Sequence, residues 1–208
     1  MNLICLEDII EKLQEIEKEY KMSQALILSE SDFKCHLFRK LYTMLNHSQK
    51  TMDLNVSGSP LHTEIKFFDE NGKLTLVPDI TILSPKELSI FHSVSKFKIT
   101  RNGIKYQTTS SKEFEFGGNS VIIELKFCKD KFGIRKNNLS SYIRDLDKIL
   151  NIQKIVNISS NGENQVLGVF AVLNKTDNKV KEFDEFMTSN ANHKRLKVFY
   201  GTGMVSSI

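Results

Sequence analysis

The run Val121-Ile-Ile-Glu-Leu-Lys126 constrains this chain more than any other stretch. It is β-branched and apolar, with the character of a strand, yet it ends in an acid and an amine. Side chains alternate faces along a strand, so Glu124 and Lys126 share one face while Leu125 enters the opposite layer. A second apolar run, Leu74-Thr-Leu-Val-Pro-Asp-Ile80, carries Asp79. If Asp79 ends a neighbouring strand, its carboxylate meets Glu124 across the ladder, where opposed or diagonal Cβ atoms lie roughly 4.5–8 Å apart. Two carboxylates that close repel unless a cation sits between them. Mg2+ takes one or two carboxylates together with waters and phosphate oxygens, and Lys126 would hold a water beside it.

The segments around these two runs supply a frame. Leu6, Ile9, Ile10, Leu13, Ile16 and Tyr20 recur at three- and four-residue spacing and predict a leading helix within residues 1–22, with a packing role or a dimer contact. A second helix is expected from Ser29-Glu-Ser-Asp32, with Phe33, Leu37, Phe38, Leu41, Met44 and Leu45 as its buried stripe. At 100° per residue Glu30 falls at the centre of that stripe, within about 20° of Leu37 and Leu41. Two readings stand for it: an acid reaching the metal site, or an N-terminal acid favoured by the helix dipole and bent out to water.

Leu61–Phe68, the turn Asp69-Glu-Asn-Gly72 and Lys73–Leu83 read as a hairpin, because Asn-Gly tolerates positive φ. Pairing across it sets His62 and Glu64 near the end that holds Val77 and Asp79. His62 is read as a structural hydrogen-bonding histidine in preference to a ligand, and Glu64 as an additional acid or an exposed strand charge. Residues 84–120 separate the two runs. Inside them Phe97–Gln107 alternates apolar and polar around a further Asn-Gly, predicting a hairpin that carries Lys96, Lys98, Arg101 and Lys105. That basic ribbon either follows nucleic-acid phosphates or protects an exposed edge.

Beyond Lys126 come Lys129, Lys131, Arg135 and Lys136 around Gly133, placed either to contact phosphates beside the metal site or to form a solvated loop. Leu139, Ile143, Leu146 and Leu150 mark the next helix, with Asn138 or Ser140 as caps and Tyr142 and Lys148 as residues that spacing alone does not orient. Val166–Leu173 is continuously apolar, as for a strand covered on both faces. A short helix with Val180, Phe183, Phe186 and Met187 and a closing edge strand Arg195–Tyr200 complete the chain, with Gly201-Thr-Gly203 read as a tail.

Pro78-Asp79 followed by Glu124-Leu125-Lys126, each at the end of an apolar strand, resembles the PD-(D/E)XK nuclease superfamily with its restriction-endonuclease-like fold. The expected element order from residue 29 to 173 is that family's core order. The resemblance implies an α/β fold, a mixed central β-sheet flanked by helices in α-β-β-β-α-β order, here with an N-terminal helix and a β-hairpin insertion at 84–120 that exceeds the family's usual connection. It implies one nuclease-like domain over 1–208 and a Mg2+-dependent DNA endonuclease, with Mn2+ able to substitute, working in defence, recombination or repair. Asp79, Glu124 and the Leu125 carbonyl, helped by Glu30 or Glu64, would hold one or two ions while Lys126 orients or activates the attacking water. DNA is the expected partner, RNA stays open, and a homodimer would serve double-strand cutting. Two rival readings are a catalytically inactive nucleic-acid-binding module of the same fold and a structural or interaction protein.

Composition narrows the remaining classes. The net charge of +4 is uneven: residues 1–30 carry −4 and the rest +8, which fits a polyanion-binding face on the body. Cys5, Cys35 and Cys128 are odd in number and show no CxxC spacing, against a disulfide framework or thiolate zinc site. No run reaches the ~20 apolar residues of a membrane span, and Glu7 and Asp8 interrupt a secretory apolar region. The expectation is a cytoplasmic protein without membrane partners. No GxxxxGK[ST] phosphate loop or GxSxG elbow occurs.

Overall fold

A computed structural model describes residues 5–52, 56–90, 95–100, 103–108 and 114–203. Among them, four α-helices cover a mixed five-stranded sheet, so the chain is an α/β protein.

Helix α1 (Leu6–Met22) buries Leu6, Ile9, Leu13, Ile16 and Tyr20, the stripe its periodicity predicts. The Asp8 carboxylate accepts from the Cys5 N–H at 3.0 Å and satisfies one of the free amides at its start. Helix α2 (Glu30–Met44) is capped by Ser29, whose hydroxyl accepts from the Asp32 N–H at 3.1 Å, and it buries Phe33, Leu37 and Leu41.

The sheet consists of β1 (Leu61–Thr63), β2 (Ile80–Leu83), β3 (Ser120–Cys128), β4 (Val166–Asn174) and β5 (Leu196–Thr202), in the order β5-β4-β3-β2-β1. The β1–β2 and β2–β3 pairs are antiparallel, while β3, β4 and β5 run parallel to one another. Parallel neighbours need long crossovers, and helices α3 (Lys136–Ser159) and α4 (Lys181–Asn190) supply them. Helices α1 and α2 pack on one sheet face against Val121, Ile123, Leu125, Val169, Ala171 and Leu173. Helices α3 and α4 pack on the other face against Ile122, Phe170 and Val172. Burial on both sides explains why β3 and β4 read as nearly unbroken apolar runs. Gly168 permits the close approach of α3, since a Cβ there would meet Ile149 Cγ2 at 2.4 Å.

Three expectations need correction. The hairpin between residues 61 and 83 is divided: β1 pairs with β2, and farther out Phe67–Phe68 pairs with Leu74–Leu76 around the turn that contains Gly72 (φ 71°). The break falls at Glu64 (φ 56°) on one side and at Val77–Asp79 on the other, so Asp79 precedes a strand instead of ending one. Helix α3 starts before Asn138, whose carboxamide accepts from the Arg135 N–H at 2.8 Å. Its inward face is Tyr142, Asp145, Leu146, Ile149, Ile152 and Gln153, whereas Ile143 is exposed. The stripe is turned by about one residue because two inward positions are polar and an apolar count skips them. Lastly, Gly201 and Thr202 belong to β5, and the Gly203 N–H donates to the Asn174 carbonyl at 2.7 Å, so this segment is part of the sheet and its margin.

The insertion contributes two antiparallel ribbons, Leu88–Ile90 with Phe114–Phe116 and Ser95–Thr100 with Gly103–Thr108. In the second, Lys98 stands opposite Lys105 in register, and Arg101 lies outside the described residues.

Candidate functional site

The site arises from a mismatch in strand length. Strand β2 pairs with β3 only from Ser120 to Ile123, where Ile80 stands opposite Ile123. Past that point backbone donors on the β2 side of β3 must find other acceptors. Asp79, the residue before Ile80, accepts from the Leu125 N–H through Oδ2 at 2.9 Å. Glu30, at the start of α2, accepts from the Phe127 N–H through Oε2 at 3.3 Å. Two acids from distant parts of the sequence are thereby drawn to one strand edge. The Leu125 carbonyl points to the same side as its N–H, as strand geometry requires.

On the α3 face of β3, Glu124 and Lys126 meet residues of that helix. Lys148 Nζ donates to Glu124 Oε1 at 2.8 Å and to the Val77 carbonyl at 3.1 Å, and lies 3.3 Å from Asp145 Oδ1. Lys126 Nζ sits 3.0 Å from Asp145 Oδ2 and 3.2 Å from Glu30 Oε1. At the outer rim Lys34 Nζ is 2.6 Å from Glu64 Oε1 and 3.8 Å from Asp79 Oδ1. Glu30, Glu64, Asp79, Glu124 and Asp145 thus face three amines, an excess of carboxyl groups over counter-charges.

Burial decides how these groups ionise. Glu124 is 2 % exposed, and its carboxyl is pushed up to about 8 by loss of solvation, which Lys148 offsets and the nearby Asp79 and Asp145 reinforce. Burial draws the Lys126 amine down, but Glu30 and Asp145 outweigh it and hold the amine above its ordinary value. Lys126 is therefore held as a cation, whereas burial pushes the Glu124 carboxyl up to about 8.

Asp79, Glu124, Leu125, Lys126 and Glu30 gather in one place. Glu30 joins through Lys126 and the Phe127 amide and points to neither of the two central acids in particular. Glu64 is brought beside Asp79, with its N–H donating to the Asp79 carbonyl at 3.3 Å, but its side chain is 66 % exposed and turned to Lys34. His62 accompanies Thr81 in the β1–β2 ladder, its Nε2 lies 2.7 Å from the Ser59 carbonyl, and burial lowers its pKa, as suits a neutral structural imidazole. Lys129, Lys131, Arg135 and Lys136 lie on the exposed segment that leaves β3 and enters α3, where Arg135 pairs with Asp130 at 3.3 Å and Lys136 with Glu182 at 3.3 Å.

Lys34 and Asp145 were not visible as site residues in the sequence, and Lys148 was left unoriented. Asp145 had no usable signal, since against the stripe Leu139, Ile143, Leu146 and Leu150 it falls roughly 130° from the centre, on what reads as the outer side of the helix. Lys34 had none, as a lysine one turn into a helix is ordinary.

Among the described residues, no three His, Cys, Asp or Glu side chains stand as a ready cation cage. The donor set of Asp79, Glu124 and the Leu125 carbonyl nonetheless consists of hard oxygen atoms beside surplus negative charge, which suits Mg2+ or Mn2+. No helix among these residues is long and apolar enough to cross a membrane. Comparison with protein-family models, curated proteins and solved structures yields no match to the chain.

Proposed function

We propose that the chain is a Mg2+- or Mn2+-dependent DNA endonuclease built on a restriction-endonuclease-like core. The observation that supports this most is the Asp79–Leu125 contact, which sets one carboxylate beside the buried Glu124 with Lys126 two residues on. Asp79, Glu124 and the Leu125 carbonyl would hold the ion, with Glu30 and Glu64 at its margin. A bound divalent ion supplies neutralisation of the scissile phosphate and stabilisation of the leaving oxygen.

The protein's own groups do the rest. Lys126, kept protonated by Glu30 and Asp145, donates to a phosphate oxygen or orients the attacking water, and it is not the base. Lys148 and Lys34 contact Glu124 and Asp79 and compete with an ion for them. Lys129, Lys131, Arg135 and Lys136 supply phosphate contacts, with Lys98 and Arg101 of the insertion as a second basic strip.

The pairing of every acid with an amine favours a second reading, a nucleic-acid-binding module without chemistry. Supercoiled, linear and branched DNA incubated with Mg2+, with Mn2+ or with chelator separates the two. Cleavage is expected only with metal, and Asp79→Asn and Lys126→Met should abolish it with the fold intact by circular dichroism. Intact substrates under every metal condition would refute hydrolysis, while metal-independent binding would then favour the module.

A further inference from the structure

The segment between β3 and α3 does something that phosphate contact alone does not need: it holds a phenylalanine out in solvent on a tightly built turn. Phe132 is 60 % exposed, whereas Ile134, two residues on, is 1 % exposed. The turn is fixed from both sides. The Phe132 and Gly133 N–H groups donate to Asp130 Oδ1 at 2.9 Å and to the Asp130 carbonyl at 3.0 Å. The Ile134 N–H donates to the Asn178 carbonyl at 2.9 Å, and the Val180 N–H returns a bond to the Ile134 carbonyl at 3.1 Å. Gly133 adopts φ 77°, and a Cβ there would meet the Asn178 carbonyl oxygen at 1.9 Å, so the chain approaches this neighbour as closely as glycine allows. Leaving this ring in water forgoes the gain of folding it back onto the core. Here the anchors on either side prevent that return.

The surroundings of the ring specify what it faces. Arg135 Cζ stands over the ring 4.7 Å from its centroid and Lys131 Nζ stands over it at 4.9 Å, so two cations lie against its π-surface and a stacking base would take the place of one of them, with Lys129 and Lys136 close by in the chain. Flat π-surface among cations matches a nucleobase attached to a phosphate backbone, since the base stacks while the phosphates meet the amines. Bases within a duplex present only their edges, so stacking on a protruding ring selects an unpaired base. The turn begins directly beyond β3, which carries Glu124 and Lys126.

We infer that Phe132 is a stacking residue for an unpaired base, so that the protein takes single-stranded or frayed nucleic acid, with the backbone led past the acids at β3. This rests on the proposed action on nucleic acid, but binding alone tests it and no cleavage is required. The chain contains no tryptophan, so Phe132→Trp creates a sole indole reporter at the ring. In chelator, an oligodeoxythymidylate of about 12 nucleotides, within the usual single-strand site sizes, should quench that indole strongly. A blunt duplex of equal length should quench it far less, and inorganic polyphosphate, which has charge and no bases, should leave it unchanged. Phe132→Ala, checked for folding by circular dichroism, should bind the oligonucleotide roughly 5- to 150-fold more weakly, the range expected for loss of one stacked base.

Equal quenching by duplex and single strand would overturn the selection of unpaired bases. Tight binding of the oligonucleotide without quenching, or quenching by polyphosphate, would overturn stacking while leaving the nuclease reading in place. A blue shift with phosphatidylserine vesicles and no response to oligonucleotide would reassign the ring to a membrane surface. If the wild-type protein binds no nucleic acid at all, both readings fall together.

Discussion

Replacing Glu124 by glutamine is expected to make the protein more stable at alkaline pH, and by an amount that grows with pH in a defined window. The carboxyl is 2 % exposed and is pushed up to about 8 from an ordinary 4.5, chiefly by burial. Below the ordinary value it is protonated in both folded and unfolded chains and contributes no pH dependence. Between the two values the folded protein retains a proton that the unfolded chain gives up, so stability falls as pH rises, by about 1.36 kcal/mol per unit. Above the folded value the ionised group is buried and the loss is complete, on the order of 5 kcal/mol across the window. Glutamine keeps the shape and still accepts from Lys148, yet it carries no charge at any pH. Urea unfolding followed by far-ultraviolet circular dichroism, which needs no tryptophan, should give wild type and variant within about 1 kcal/mol near pH 5 and several kcal/mol apart near pH 8.5. A pH-independent difference, or a variant less stable than wild type at alkaline pH, would refute the assignment of Glu124 as a strained buried acid.

Two further substitutions probe the strand edge and the turn beyond it. Asp79→Ala leaves the Leu125 N–H without its 2.9 Å acceptor and should cost about 1–3 kcal/mol in urea unfolding, whereas Asp79→Asn retains an acceptor and should stay close to wild type. Gly133→Ala places a Cβ 1.9 Å from the Asn178 carbonyl at φ 77°, and thermal unfolding should report a loss on the order of 1–3 kcal/mol; an unchanged midpoint would show that the turn is less tightly held than its hydrogen bonds indicate.

The large features were legible because each rests on one dominant period. The α1 stripe, the apolar β3 and β4 runs and the Asn71-Gly72 turn are local signals that the fold reinforces. The break at Glu64 and Val77–Asp79 was not read, although Pro78 stands in it and has no N–H to give to a ladder; the Asn-Gly turn and the apolar residues on either side outweighed that single cue. That break changes how Asp79 reaches the site: it arrives as a substitute ladder acceptor at the open edge of β3, not as a strand end. The rotation of α3 was hidden for a related reason. Asp145 occupies an apolar position in the helix, and it does so because Lys126 and Lys148 lie within 3.0 and 3.3 Å of it, partners that only the folded chain supplies. The amines that hold the acids are set by three-dimensional proximity, so Lys34 and Lys148 leave no trace in spacing.

The claim that these carboxyl groups are built to receive a divalent ion is tested most directly by counting protons. With Glu124 protonated at neutral pH, an ion binding there must displace its proton, so calorimetric titration with Mn2+ near pH 7 in two buffers of different ionisation enthalpy should report release of about one proton per ion. Glu124→Gln should bind without that release, and Asp79→Asn should bind much more weakly. Mn2+ uptake with no proton release, equal in wild type and both variants, would place the ion elsewhere and contradict the account.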